Sequence, residues 1–600
     1  MAVCESSSDI ESRCSLESQP LLRRFSKSSS IIHSLQRKIA SISRFLKHFC
    51  ITSKAAVLVL LWTMLVGAVY YTVVSMILVF LMNATSLLLV DASLPFVILY
   101  FFIAVVFISF PVSGFLADVY FGRFKTIAAS LCLILLSLTI FLLSFAVSFY
   151  VRVPNNIKNF FFIVGGFVLL AIVIGIAGYS ANVIQFGLDQ LVDVPSRYQA
   201  LFVHWAKWSY ELLSTVVVGL FAYYSCGIND VIPGLMVFVL PIVICVCSLF
   251  IMLLFSCWKR HWFYTEPGQH NPYKMVIKVL NFARKHKYPL QRSAFTYCDD
   301  ERPSRLDFAK ERYGGPFTTE QVEDVKTFLR IITFLFAVGP VFVMDLPSSN
   351  VALLKYGTHI GSYQLKQYCH WEWIVVNSGL IKCIVSATFL PIYIISIWRH
   401  IPKIFTRLGC GIILYFLGTM GMLAIDVAGH VHSKANTTQC IFSVHRINGS
   451  LTTAHLGMHW SVLVLPNILL GVGPSLVTVT IFEFISAQSP HSMKGLLLGV
   501  FFAITGVFQF LSSLALTPFS SQKIWARDEH SPVISCLSGY LFFTCVVALI
   551  GFALFSVVAK WYKYRERDDK PYDQRFVIDV YNRYLTQAHD YEQSYSTNIN

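Results

Sequence analysis

Runs of twenty or more apolar residues with almost no charge recur along most of the chain. Each is long enough to cross a hydrocarbon layer of about 30 Å as a helix. Charged residues make up 13% of the 600, against about 25% in a soluble domain. That deficit excludes a soluble multidomain enzyme, a disordered chain and a disulfide scaffold. The sequence predicts an all-α polytopic membrane protein.

Twelve spans are predicted, near 55–82, 93–117, 126–150, 160–185, 200–223, 232–257, 328–346, 371–397, 406–427, 460–484, 495–518 and 537–559. The first fifty residues lack the apolar core of a signal peptide, so none is expected there. The net charge of +15 is read through loop asymmetry rather than as a nucleic-acid footprint. Arg23, Arg24, Arg37, Lys38, Arg44, Lys47 and Lys54 crowd the N-terminal segment, and Lys560, Lys563, Arg565 and Arg567 follow the last span. Arg123, Lys125, Arg399, Lys403 and Arg407 fall in connections on the same side. The sequons at Asn83, Asn436 and Asn448 fall in loops on the other side, where glycosylation could occur. Both termini are therefore expected in the cytosol. No CxxC pair or Cys/His cluster has ligand spacing, so no metal and no cofactor is expected.

The spans divide six and six. The expected order is a cytosolic tail (1–54), a six-helix bundle (55–257), a basic cytosolic loop (258–327), a second bundle (328–559) and a cytosolic tail (560–600). Within the loop, Asn271-Pro272 starts an amphipathic stretch that could lie on the membrane surface. Gly314-Gly315-Pro316 stops a later segment, and Thr318-x-x-Gln321 reads as a capping box leading into span seven. Two six-helix halves around a long loop is the layout of the major facilitator architecture, with its site between the halves near the midplane.

After span two comes Gly114-Phe-Leu-Ala-Asp118-Val-Tyr-Phe-Gly122-Arg123-Phe-Lys125-Thr126-Ile127. Gly114 permits close helix packing, Gly122 permits a tight turn, and Asp118 can meet Arg123. Such a cluster can latch one conformation and release in another. The pattern resembles the loop between helices two and three of facilitators, and its tail resembles the proton-coupled oligopeptide transporter family. Gly175-Ile-Ala-Gly178 through Phe186-Gly187-Leu-Asp189-Gln190 is similar to that family's fourth helix. Tyr313 through Lys326 is similar to the start of its seventh helix, and Glu483 through Lys494 to the end of its tenth. The resemblance implies the major facilitator fold and transport of small peptides or amino acids, histidine among them.

This chain departs from that family at three places. Its first helix has Thr63-Met64-Leu65-Val66-Gly67 where the family has Glu-x-x-Glu-Arg. Ser180 stands in place of the fourth-helix Lys, and Lys207 and Glu211 align with Tyr-x-x-x-Asn of the fifth. The departures leave peptide binding open and put proton coupling in question.

Charges within spans are costly in lipid and so become functional candidates. Lys207, Glu211, Lys382 and Glu483 are proposed to bind substrate, together with Tyr70 and Tyr71, which match cavity positions of the family. Gly114, Asp118, Gly122 and Arg123 are proposed for gating. Asp345 and Asp426 lie near span ends and are expected to face water, while His204 is read as hydrogen-bonded packing. Glu17 with Leu21-Leu22 fits an acidic dileucine signal for sorting adaptors, and Peptide/histidine transporters often carry one. The leading function is a secondary transporter in an endolysosomal or plasma membrane. The alternatives are an uncoupled facilitator of another organic solute, and a non-transporting sensor working through cytosolic signalling adaptors. Expected partners are a small peptide or amino acid, lipid and protons. Neither nucleic acid nor enzymatic chemistry is expected.

Overall fold

The computed structural model describes residues 54–88, 94–150, 155–191, 194, 196–225, 231–264, 272–286, 290, 303–345, 380–397, 402–434, 444–447, 450–453, 460–490, 493–520 and 537–565. The first half contributes α1 (Lys54–Leu88), α2 (Leu94–Leu116), α3 (Arg123–Tyr150), α4 (Asn155–Asp189), α5 (Ser196–Ser225) and α6 (Val231–Trp258). A linker helix, α7 (Pro272–Lys285), follows. The second half contributes α8 (Thr319–Val338), α9 (Leu380–Ile397), α10 (Ile404–Lys434), α11 (Val464–Gln488), α12 (Lys494–Ser520) and α13 (Leu537–Trp561). A helix stands at each of the twelve expected span positions. Among the described residues, nine segments are long and apolar enough to cross a bilayer. The chain is an all-α, multi-pass membrane protein. Its described strands form one hairpin, β1 (Val444–Ile447) against β2 (Ser450–Thr453), in the connection between α10 and α11.

Several boundaries differ from the sequence reading, and two of them bear on the argument. The apolar run of span seven was expected from 328, with a capping box at Thr318 leading into it; α8 does start at Thr319, and its polar first turns precede the apolar run. The cause is the capping box itself: Thr318 Oγ1 accepts from the Gln321 amide at 3.3 Å, and Gln321 Oε1 accepts from the Thr318 amide at 3.2 Å. At the other end, Gly339-Pro340 turns the chain into a 3-10 segment, Gly339–Met344. The second difference is Asn83, which lies within α1 rather than in a loop, because that helix continues to Leu88. Asn436, Asn448, Glu17, Leu21 and Leu22 lie outside the described residues.

The broadest contact between the halves is α2 on α12. The sequence makes this closeness possible with small residues. A Cβ on Gly114 would overlap the backbone of Gly495, and one on Gly499 would come 2.7 Å from the Phe110 and Pro111 backbone. Phe110 and Phe502 fill the adjoining space with ring centroids 4.7 Å apart. A second contact joins α5 to α9. There Trp208 Nε1 donates to the Ala387 carbonyl at 3.0 Å, and Thr215 Oγ1 to the Cys383 carbonyl at 3.2 Å. Residues 561–565 belong to a separate C-terminal unit, in which Tyr562 and Tyr564 meet edge-on at 5.6 Å.

Candidate functional site

The i, i+4 spacing of Lys207 and Glu211 puts both on one face of α5, and Lys207 Nζ donates to Glu211 Oε1 at 2.5 Å. Both side chains are largely buried. The Lys207 ammonium also lies 5.4 Å above the Tyr210 ring. Tyr210 meets Tyr70 and Tyr71 of α1 at 6.3 and 6.1 Å, and those two rings meet edge-on at 5.5 Å. Gly67 lets α1 come this near, because a Cβ there would sit 2.6 Å from the Tyr210 carbonyl oxygen. Glu211 is within electrostatic reach of Tyr71 and of Cys383 on α9, which also feels Lys207 and Lys382. Four of the six residues proposed for substrate thus gather where α1 and α5 meet, and Lys382 lies on α9, the helix packed against α5. Tyr70 also borders a small apolar cavity with Val106, Phe107 and Val173.

The sixth, Glu483, stands apart with a partner of its own. Arg407 donates to it through both terminal nitrogens, Nη1 to Oε2 at 2.7 Å and Nη2 to Oε1 at 2.8 Å. Both residues are buried. A forked, desolvated pair of this kind is strong and directional. His204 of α5 approaches the same carboxylate at 3.8 Å and stacks on Tyr393 at 5.7 Å, while its Nδ1 faces the Ala200 carbonyl at 2.8 Å. The sequence reading had treated Arg407 as a loop cation; it lies in the first turn of α10, which begins at Ile404, and is buried. Asp426 is likewise buried, not facing water as expected. Asp345 accepts from Tyr415 Oη at 2.9 Å and from Gln509, and its charge reaches Tyr70. The sequence reading had it facing water because it ends a span.

Gly114, Asp118, Gly122 and Arg123 come together at the end of the bundle that carries the basic connections. Five residues, Ala117–Phe121, widen into a π turn, and Gly122 follows with φ of 79°, open to glycine at little cost. This aims Arg123 back at Asp118, 3.4 Å away, and at Asp189 of α4, 2.6 Å away. Asp118 also accepts from the Leu496 amide at 3.2 Å, in the first turn of α12. One carboxylate therefore holds the second half through an unsatisfied helix-start donor, where negative charge is favoured. Gln185 Nε2 adds a bond to Ser486 Oγ at 3.0 Å across the same end. The two halves are closed against each other here.

A sequence model described as PTR2, POT family, matches residues 124–528. The chain belongs to the POT family. It is 23% identical over 495 residues to protein NRT1/PTR FAMILY 5.10 of Arabidopsis thaliana, covering 76% of this chain and 83% of that one. It is 22% identical over 523 residues to solute carrier family 15 member 3 of Mus musculus, covering 78% and 84%. Its fold is similar to the crystal structure of the POT family transporter PepTSo, with a TM-score of 0.57 at 16% identity over 85% of this chain and 98% of that one. Family and fold are those of secondary transporters of peptides or small solutes. The first helix, Lys54–Leu88, lies ahead of the matched residues. Thr63, in the place of a charge, donates to the Val59 carbonyl at 2.8 Å and accepts from Tyr179 Oη at 3.2 Å. Packing occupies the positions that the sequence reading aligned with the family's charges: Thr63 and Val66 are buried and Gly67 lies against Tyr210. Among the described residues, no group of His, Cys, Asp or Glu could hold a metal ion.

Proposed function

We propose that the chain carries a small peptide or amino acid, histidine among the candidates, across the membrane by alternating access. The observation that supports this best is the Lys207–Glu211 pair, set among three tyrosines and facing the second half of the bundle. A zwitterionic solute offers a carboxylate to Lys207 and an ammonium to Glu211, exchanging one ion pair for two charge-assisted bonds. Lys382 adds a cation on the facing helix, and the tyrosines supply flat walls. The basic end is taken as cytosolic, with both termini there, on the bias of Lys and Arg between the connections.

Glu483 supports a second role. Its two bonds to Arg407 join α10 to α11 within the second half, and His204 of α5 reaches it from the first half at 3.8 Å, so a substrate ammonium can enter only by displacing the guanidinium. Asp118, Arg123 and the glycines on either side form the latch between the halves. Proton coupling, if carried by this chain, has to use groups other than a first-helix charge triad. The acidic dileucine Glu17, Leu21 and Leu22 supports adaptor-dependent endolysosomal residence, with the plasma membrane as the other destination. Uptake of a labelled dipeptide into proteoliposomes, with and without a pH gradient, tests the reading. Saturable uptake supports transport, gradient dependence adds coupling, and leakage-level uptake of every peptide and amino acid tried counts against it.

A further inference from the structure

The connection between the halves is more than a tether. Its helix α7 places Tyr273 one residue after Pro272, and the phenol donates to Asp118 Oδ2 at 3.3 Å while the ring rests on Phe115, 5.0 Å between centroids. Burial, and then the Asp118 charge, push the Tyr273 phenol well above its ordinary value, so it keeps its proton and donates. Val276, Val279 and Ala283 bury the inner face of α7. At its C-terminus, Arg305 returns to cap two open carbonyls, Nε to Ala283 at 3.1 Å and Nη2 to Arg284 at 3.2 Å.

From Arg305 the path continues into the second half. Ser304 and Asp307 are joined by two hydrogen bonds, and Asp307 accepts from Lys310 at 2.6 Å and from Lys326 of α8 at 2.5 Å. Glu323 of α8 accepts from the same two lysines. Residues 306–317 fold around buried Ala309 and Tyr313, with Gly314 turning the chain at φ of 82°. Polar contacts and packed helix therefore run unbroken from Asp118 in the first half to α8 in the second.

We infer that this linker is a brace that stabilises closure at the basic end, with Tyr273 as a positioning residue for the Asp118 latch. It rests on the alternating-access reading, since it needs a second state to oppose. Release of α12 from Asp118 then requires the brace to give as well, so whatever displaces α7 from outside shifts the transport cycle.

The test uses the full chain in lipid nanodiscs, spin-labelled at Arg260→Cys and Lys403→Cys with the other cysteines replaced. Electron–electron distances report the separation of the halves. Tyr273→Phe keeps the ring and removes the donor, and should raise the open-to-closed ratio roughly threefold to tenfold, as loss of one typical hydrogen bond implies. Arg305→Ala should shift it the same way, and the double variant no further than the larger single. Lys285→Ala should leave it unchanged. Melting curves confirm that each variant is folded. If Asp118→Asn opens the basic end and Tyr273→Phe does not, the brace is overturned while alternating access stands. Fully additive shifts also overturn it, because they describe two unconnected contacts. A single separation in every variant, Asp118→Asn included, contradicts alternating access and the brace together.

Discussion

At the scale of single residues, the account turns on who pairs with whom. Removing one partner of a buried ion pair leaves the other charge uncompensated and typically costs about 3–5 kcal/mol. Arg407→Ala should therefore lower the melting temperature sharply, and Arg407→Ala with Glu483→Gln should recover most of it. A double variant as unstable as the single would show that Arg407 acts through contacts other than Glu483. Lys207→Ala should behave alike through Glu211, with recovery in Lys207→Ala/Glu211→Ala. The Lys207–Glu211 pair was legible in the sequence because its partners lie one helical turn apart. The Arg407–Glu483 pair was not, since 76 residues separate them and an Arg beside a loop ordinarily reads as a snorkelling cation. Asp426 escaped for a related reason: a carboxylate near a span end reads as wet until its neighbours are known.

At the scale of elements, glycine spacing and linker charge carry the predictions. Gly114→Val places a branched side chain against the Gly495 backbone, which has no rotamer to yield. It should hold the basic end open, raising the labelling rate of a cysteine introduced at Leu496 from the aqueous side; an unchanged rate would count against close approach of α2 and α12 as the closing contact. The linker supplies a pH dependence. Burial opposes the Asp307 charge, but hydrogen bonds from Lys310, Lys326 and Ser304 overcome it and hold its carboxyl well below the usual range. A depressed folded value means stability present above the unfolded pKa of about 3.9 and lost as pH falls toward the folded value. The melting-temperature gap between the parent and Asp307→Asn should stay constant from pH 8 to 5 and narrow only below about 4. A gap that closes between pH 7 and 5 would contradict the assignment. The capping box at Thr318 was visible in the sequence. It marks the start of α8, whereas the expected bound at 328 marks only where the apolar run begins.

At the scale of the whole molecule, twelve apolar runs and one loop motif were enough to predict the class of fold, since lipid allows few alternatives. The way the halves meet was not legible, because contacts such as Asp118 with the Leu496 amide join residues 378 apart through a backbone donor. Fold and family make the chain a secondary transporter; the charged cluster between α1, α5 and α9 is the claim that gives it a substrate. The direct measurement is dipeptide uptake into proteoliposomes by the parent, Lys207→Ala and Lys207→Ala/Glu211→Ala, each shown to be folded and inserted to the same level. The account predicts saturable uptake by the parent and uptake at the leakage level in the double variant, although its stability is restored. Full recovery of transport in the double variant would contradict it.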